Sequence, residues 1–299
     1  MSVIALPRAE APARRGGVRW LVLLTRRKTT LVGTVLMALM IGVGILAPLL
    51  GGDPAHMDVA GRLASPSRAH WFGTDDVGRD VWSRVVYGAR LSLLVGIAVV
   101  ALSFLLGVVC GVVAGYYRRL DNVVMRVMDG LMAFPAILLA IALMAARGPG
   151  VWNVIIALSL VYMPRTALLT RSTVLSLREL DYVQAALALG RSDLAVAFRH
   201  VLPNCLAPLL VQGTFIFAYA VLAEAILGFL GVGVPPYVPS WGNVIASGKN
   251  VIREAFWVSL FPGLALTVTG LSLNLLGDGL RDTLDPRLRG TMSRSGTQP

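Results

Sequence analysis

Three histidines, two cysteines and a short run of aspartates are the residues of this 299-residue chain whose types suit them to chemistry. A metal site asks for several nitrogen, sulfur or oxygen ligands converging on one point, often as a His-Glu-x-x-His pair on one helix face. No such pair occurs. His56, His70 and His200 are scattered, and Cys110 and Cys205 are too few for a four-sulfur site or a disulfide scaffold and lie in or beside apolar runs. Asp75, Asp76 and Asp80 alternate with Arg79 and Arg84, the pattern of a self-neutralised helix start on a surface rather than of a carboxylate site. Phosphate chemistry asks for glycine, four residues, then Gly-Lys-Ser/Thr. The nearest approach, Gly242 to Asn250, has the wrong spacing and puts Asn250 after Gly248 and Lys249. No catalytic, cofactor-binding or metal-ligating residue is therefore assigned, and no ATPase site is expected in this chain.

The elements that must position any functional residue are membrane helices. Hydrophobic residues make up 56% of the chain and charged residues 14%, against about 25% charged in an ordinary soluble domain. Apolar runs of about 20 residues match a hydrocarbon layer about 30 Å thick. The expected fold is all-α and polytopic, with spans near 31–50, 91–115, 130–146, 151–169, 206–230 and 255–277. The first run is longer than a signal-peptide core and ends in Pro48, Leu49, Leu50, Gly51 and Gly52, so it reads as a retained span. The organisation that follows is a tail at 1–30, a first helix at 31–50, a loop at 51–88, a five-helix domain at 89–280 and a tail at 281–299.

Charge sets the orientation. The net charge of +11 would suggest nucleic acid in a soluble chain. In a membrane chain it matters by side, because Lys and Arg collect in cytoplasmic loops. The N-terminal tail, the loop at 116–126, the segment 165–203 and the C-terminal tail together hold 19 Lys and Arg, and the opposite side holds 8. Both termini are thus expected in the cytoplasm, as six spans require.

Within the spans, Gly107, Gly111 and Gly115 recur every four residues and make a flat strip suited to close helix packing. Glu224 is the one clearly intramembrane acid. Burying such a charge costs about 2.5 to 3.5 kcal/mol on insertion scales, so it must face protein or water. A structural hydrogen-bonding role near the outer end of its span, a place on a translocation path and a proton relay all remain open. Ion-gradient transport is disfavoured, since only Glu224 and, at an inner edge, Asp129 are available.

The segment 179–203 breaks the pattern of spans. Asp181 can cap a helix from Tyr182 that Gly190 ends or bends, and Ser192 with Asp193 can start another that stops before Pro203. Ala185, Ala186 and Ala188 offer a surface that another protein could approach closely. By residues alone, a docking element and an interfacial linker are equally open.

The sequence here resembles the transmembrane subunits of bacterial ATP-binding-cassette importers, most closely the second permease of the dipeptide, oligopeptide and nickel group. The family's cytoplasmic signature stands as Gln184, Ala185, Ala186, Gly190 and Val201, Leu202, Pro203. Gln184 replaces the family's glutamate, which weakens a salt bridge to an ATPase subunit and keeps hydrogen-bonding capacity. His70 to Asp75, Gly78 to Asp80, Gly88 to Leu93, Ala223 and Glu224, Leu227 to Gly231, Pro235, Pro236, Ser240 to Gly242, Asn274 to Asp282 and Asp285 to Arg287 resemble further blocks of that group in order. The resemblance implies the type I importer fold with a cytoplasmic coupling helix within 182–200. It implies a second homologous permease, two ATP-binding subunits that hold ATP and magnesium, an extracytoplasmic solute-binding protein and a peptide substrate, in the bacterial inner membrane, with no nucleic acid. Gln184, Ala185, Ala186, Gly190, Leu202 and Pro203 would couple to the ATPase. Nickel or another small solute is the alternative cargo, and an ATPase-independent channel the alternative class.

Overall fold

A computed structural model describes residues 28–284. The tail expectations at 1–27 and 285–299, including the Asp285, Pro286, Arg287 block, lie outside the described residues. The described chain is built from helices: α1 (Lys28–Ile45), α2 (Ala47–Leu50), α3 (Val81–Tyr116), α4 (Arg118–Met132), α5 (Ala136–Arg147), α6 (Val151–Arg178), α7 (Asp181–Ala188), α8 (Asp193–Val196), α9 (Leu202–Phe229), α10 (Trp241–Gly248) and α11 (Trp257–Leu284). Five helical stretches are long and apolar enough to cross a membrane among the described residues, and the bent pair α4 and α5 makes a sixth if counted as one span.

Several boundaries differ from the sequence expectation for physical reasons. α3 begins ten residues before the apolar run, at Val81, because the Asp80 carboxylate accepts from the Ser83 N–H at 2.8 Å and caps the helix. The third apolar run is broken where Pro135 follows Phe134, so α4 and α5 meet at 93°. Pro135 cannot donate and disfavours helical backbone at the residue before it. The basic loop expected after the second span is instead helix α4, which carries Arg118, Arg119 and Arg126. α6 runs on to Arg178. At about 1.5 Å per residue its 28 residues measure about 42 Å, longer than the hydrocarbon core.

A wide-pitched helical turn at Ala197–Val201 joins α8 to α9, and Pro203 does not stop the chain. It falls in the first turn of α9, where a missing N–H is tolerated. Asp181 lies inside α7, whose cap residue is Leu180 with no side-chain bond, so the expected Asp181 cap is not formed.

α3 and α6 form the most extensive helix pair. Their contact is the glycine strip. A Cβ on Gly107 would stand 2.6 Å from Thr166 Cβ, and one on Gly111 2.5 Å from Thr170 Cβ and 2.6 Å from the Ala167 carbonyl oxygen. Lipid gives helices no hydrophobic reason to associate, so close backbone approach of this kind supplies the packing energy. Around the seam, Val95, Val99, Met144, Leu158, Ile216 and Leu227 join α3, α5, α6 and α9. A second apolar core of Met37, Val85, Trp241, Trp257 and Leu273 joins α1, α3, α10 and α11.

Candidate functional site: the elbow at 179–205 and the bundle it grips

The chain leaves α6 at Arg178, runs through α7, turns at Gly190 and returns through α8 into α9. Gly190 has φ +81°, a left-handed conformation that costs other residues about 1 to 2 kcal/mol. Its own chain leaves open space there, with nothing within 4 Å of a built Cβ.

The elbow is not loosely hung. Val183, Val196, Val201 and Cys205 are fully buried with Val174 of α6, and Ala186 packs against this cluster. Gln184 Nε2 donates to the Arg178 carbonyl at 2.8 Å, covering an end of α6 where carbonyls lack helical partners. A glutamate could not donate there and would face the negative end of the helix, which gives the Gln184 departure a local reason. Arg178 in turn donates to the Gly115 carbonyl at 2.8 Å and lies 5.3 Å from the Tyr116 ring centroid, at the end of α3. Nearby, Arg171 of α6 grips Asp121 of α4 through Nε at 2.5 Å and Nη2 at 2.6 Å. Asn204 Nδ2 donates to the His200 carbonyl at 2.6 Å and also meets the Tyr182 hydroxyl, which ties α7 to the start of α9.

Of the residues singled out by sequence, Gln184, Ala185, Gly190 and Pro203 are exposed, Ala186 and Leu202 half-buried. They share one end of the molecule. Leu189 is 85% exposed and Phe198 69%, a pair of apolar side chains offered outward on either side of the turn. Arg171, Arg178 and Asp121, which brace the elbow, carried no sequence signal, because their partners lie about 50 to 63 residues away.

Glu224 does not belong to this group. It lies 22 residues beyond Leu202 on α9, about 33 Å away along the helix. It is fully buried and accepts from Ser92 Oγ of α3 at 2.8 Å. Beside it, α10 is buried against the bundle: Trp241 Nε1 donates to the Val85 carbonyl at 3.0 Å, and Asn243 Nδ2 meets the carbonyls of Val234, Pro235 and Val238. The structure therefore gives Glu224 a hydrogen-bonded place between helices.

At that same end Asp75, expected on a surface, is fully buried. Its carboxylate accepts from Arg79 Nε at 2.7 Å and Arg84 Nη1 at 2.5 Å, and from the Val77 and Arg79 amides. The cluster is self-neutralised, but it is a tertiary staple rather than a solvated helix start. Among the described residues no group of three or more His, Cys, Asp or Glu could hold a metal ion.

A bundle of long apolar helices, with one short buried helix at one end and a braced, outward-facing elbow at the other, is a polytopic membrane protein that presents a rigid handle. Residues 90–290 match the family of binding-protein-dependent transport system inner membrane components, and the chain belongs to that family. It is 53% identical over 267 residues to a protein of Brucella suis biovar 1 named as a peptide transport system permease, which covers 89% of this chain and 90% of the relative. It is 44% identical to a dipeptide transport system permease protein of Alkalihalophilus pseudofirmus, covering 89% and 88%. With a di/tripeptide transport system permease protein of Pseudomonas aeruginosa it shares 42% over 88% and 89%.

Proposed function

We infer that this chain is the permease subunit of an ATP-driven importer and forms half of a translocation pathway for dipeptides or oligopeptides. The observation that carries the cargo class is the set of relatives above, whose names concern peptides over nearly the full length of both chains. Membership of a binding-protein-dependent transport family supports ATPase and solute-binding partners.

In this reading the chain pairs with a second homologous permease over two ATP-binding subunits, which bind ATP and magnesium, and receives its solute from an extracytoplasmic binding protein. The bent pair α4 and α5 counts as one span of six, in the type I importer arrangement, within the bacterial inner membrane. Both tails lie in the cytoplasm. Taking Arg165 out of the cytoplasmic count, because it falls mid-helix in α6, leaves 18 Lys and Arg against 8 and the same orientation.

α7 is then the coupling helix, seated in a groove of an ATPase subunit through Gln184, Ala185, Ala186, Gly190 and the flanking Leu202 and Pro203. Closure of the ATPase pair on ATP displaces α7. Arg178 and the apolar cluster beneath it pass that displacement to α3, α6 and α9 together, because close-packed interiors shift as blocks rather than deform. The spans rock outward to accept the solute, and hydrolysis restores the inward state.

The test is uptake into vesicles holding this chain with its companion permease, ATPases and binding protein, supplied with radiolabelled di- and oligopeptides or nickel. ATP-dependent peptide accumulation supports the reading. Nickel accumulation without peptide uptake overturns the cargo, and uptake that persists without the ATPases overturns the class.

A further inference from the structure

Arg165 lies fifteenth of the 28 residues of α6, at the middle of a membrane-crossing helix. It falls inside the apolar run 151–169, four residues from that run's inner edge. An arginine facing hydrocarbon there costs at least about 2.5 to 3.5 kcal/mol, so it must face water, a ligand or protein. Its side chain is exposed on this subunit and forms no ion pair among the described residues. The intramembrane acid, Glu224, is buried with Ser92 instead.

What surrounds Arg165 is aromatic. Its guanidinium carbon stands 5.9 Å from the Tyr162 ring centroid and 5.7 Å from that of Tyr219 on α9. The Tyr162 hydroxyl donates to the Tyr219 carbonyl at 3.2 Å, which fixes the two helices beneath the cation. Cation–π contact orients a guanidinium without neutralising it. Tyr219 also lines a cleft of about 280 Å³ between α9 and α11, with Thr267 and Asn274 on the far wall. A seam between membrane helices is built from small, closely fitting residues. The cleft is lined mainly by apolar side chains, and Tyr219 is the residue that it shares with the surroundings of Arg165.

We propose that Arg165, held by Tyr162 and Tyr219, is an anion-binding station on the translocation path that takes the terminal carboxylate of the peptide in transit. This rests on the peptide-import reading above. A guanidinium presents paired donors that match a carboxylate in a bidentate bond. The C-terminal carboxylate is the one anion common to peptides whatever their side chains, so such a station serves cargo of varied sequence.

The experiment uses the complete assembly in vesicles, with wild type, Arg165→Gln and Arg165→Lys brought to equal amounts in the membrane. Uptake of one peptide is compared with that of its C-terminal amide, each normalised to its occupancy of the binding protein. Arg165→Gln is expected to cut uptake of the free-carboxylate peptide about tenfold or more. Uptake of the amide should change by less than about twofold, and Arg165→Lys should fall between. Equal loss on both cargoes, the mark of an ion pair with the companion permease, overturns the proposal, as does no loss on either. Wild type that imports neither cargo overturns the peptide reading itself.

A second arm serves if the binding protein refuses the amide. Arg165→Cys, in a chain whose Cys110 and Cys205 are changed to Ser, is treated in the assembled complex with a water-soluble anionic thiol reagent. Labelling slowed by saturating peptide is expected, and resistance to the reagent overturns the proposal.

Discussion

The buried staple at Asp75 makes an asymmetric prediction. Arg84 is 2% exposed and donates to Asp75 at 2.5 Å, while Arg79 serves the same carboxylate at 2.7 Å from a more open position. Asp75→Asn keeps an oxygen for the Val77 and Arg79 amides but leaves the buried Arg84 cation without its directly bonded counter-charge and with only the weaker attraction of Asp76. Breaking a buried pair in this way costs about 3 to 5 kcal/mol. Arg84→Met leaves Asp75 its bond to Arg79 and replaces a buried guanidinium with an apolar chain of similar length. Its cost is that of a lost charge-assisted bond, about 1.5 to 3 kcal/mol. The double variant buries neither charge unpaired and should be more stable than Asp75→Asn alone. The assay is thermal unfolding of the purified complex in detergent or nanodiscs, with the four proteins as a cycle. The expected order of midpoints is wild type, Arg84→Met, double variant, Asp75→Asn, with the middle two allowed to exchange. A double variant whose loss equals the sum of the two single losses would refute the reasoning, since it would mean that the charges do not feel one another.

The glycine seam predicts that Gly111→Ala lowers the unfolding midpoint by the equivalent of about 1 to 3 kcal/mol, because the added carbon meets the Ala167 carbonyl and the Arg171 amide nitrogen. Gly263→Ala, with open space at its Cβ, should not lower it, and the same melting experiment compares the two. At Gly190, alanine and tryptophan incur the same left-handed strain, and the Cβ of either has open space around it. Equal melting of the two variants is expected, with import abolished in Gly190→Trp and retained to a large extent in Gly190→Ala; equal import would mean that no partner docks at the turn. Gln184→Met removes the bond to the Arg178 carbonyl, worth about 0.5 to 1.5 kcal/mol, and limited proteolysis of the 179–192 segment should accelerate about two- to tenfold, while unchanged cleavage would show that the amide does not hold the elbow.

Five of the six expected apolar stretches were legible in the sequence because hydrophobic length maps directly onto bilayer thickness, and the remaining one, 130–146, falls across the bent pair α4 and α5. Polarity inside an element was not. Ser83 and Arg84 look like loop residues until the 51–80 segment folds over them, with Gly52 donating to Ser83 Oγ and Asp75 accepting from Arg84. Arg165 looked like the start of a cytoplasmic segment for the same reason. What could have marked it is Tyr162 three residues earlier, on the same helical face, but the second ring comes from α9, 54 positions on. Pro135 and Pro203 show that position within a turn decides what proline does. One breaks a run between two helices, whereas the other sits in the first turn of α9 and is passed over. In the elbow, the glycine turn and two short helices were readable from residue types. The Arg178 and Asp121 braces depend on long-range contacts that no local pattern encodes.

The 51–80 segment is finished by the far end of the chain. Phe72 stacks on Phe261 at 3.8 Å, and Trp257 Nε1 donates to the Thr74 carbonyl at 3.2 Å across 183 residues of sequence. Synthesis delivers this segment directly after the first helix, and α3 then holds part of it through Arg84 and Trp82, yet Phe261 and Trp257 arrive only with α11. Assembly thus has a built-in last step: the cap over one end of the bundle rests on α3 first and gains its remaining aromatic contacts only when the final span is inserted. A chain stopped short of residue 257 should carry that segment held on α3 alone, with Phe72 uncovered on the side that Phe261 takes, which gives a cell a visible mark separating unfinished subunits from finished ones.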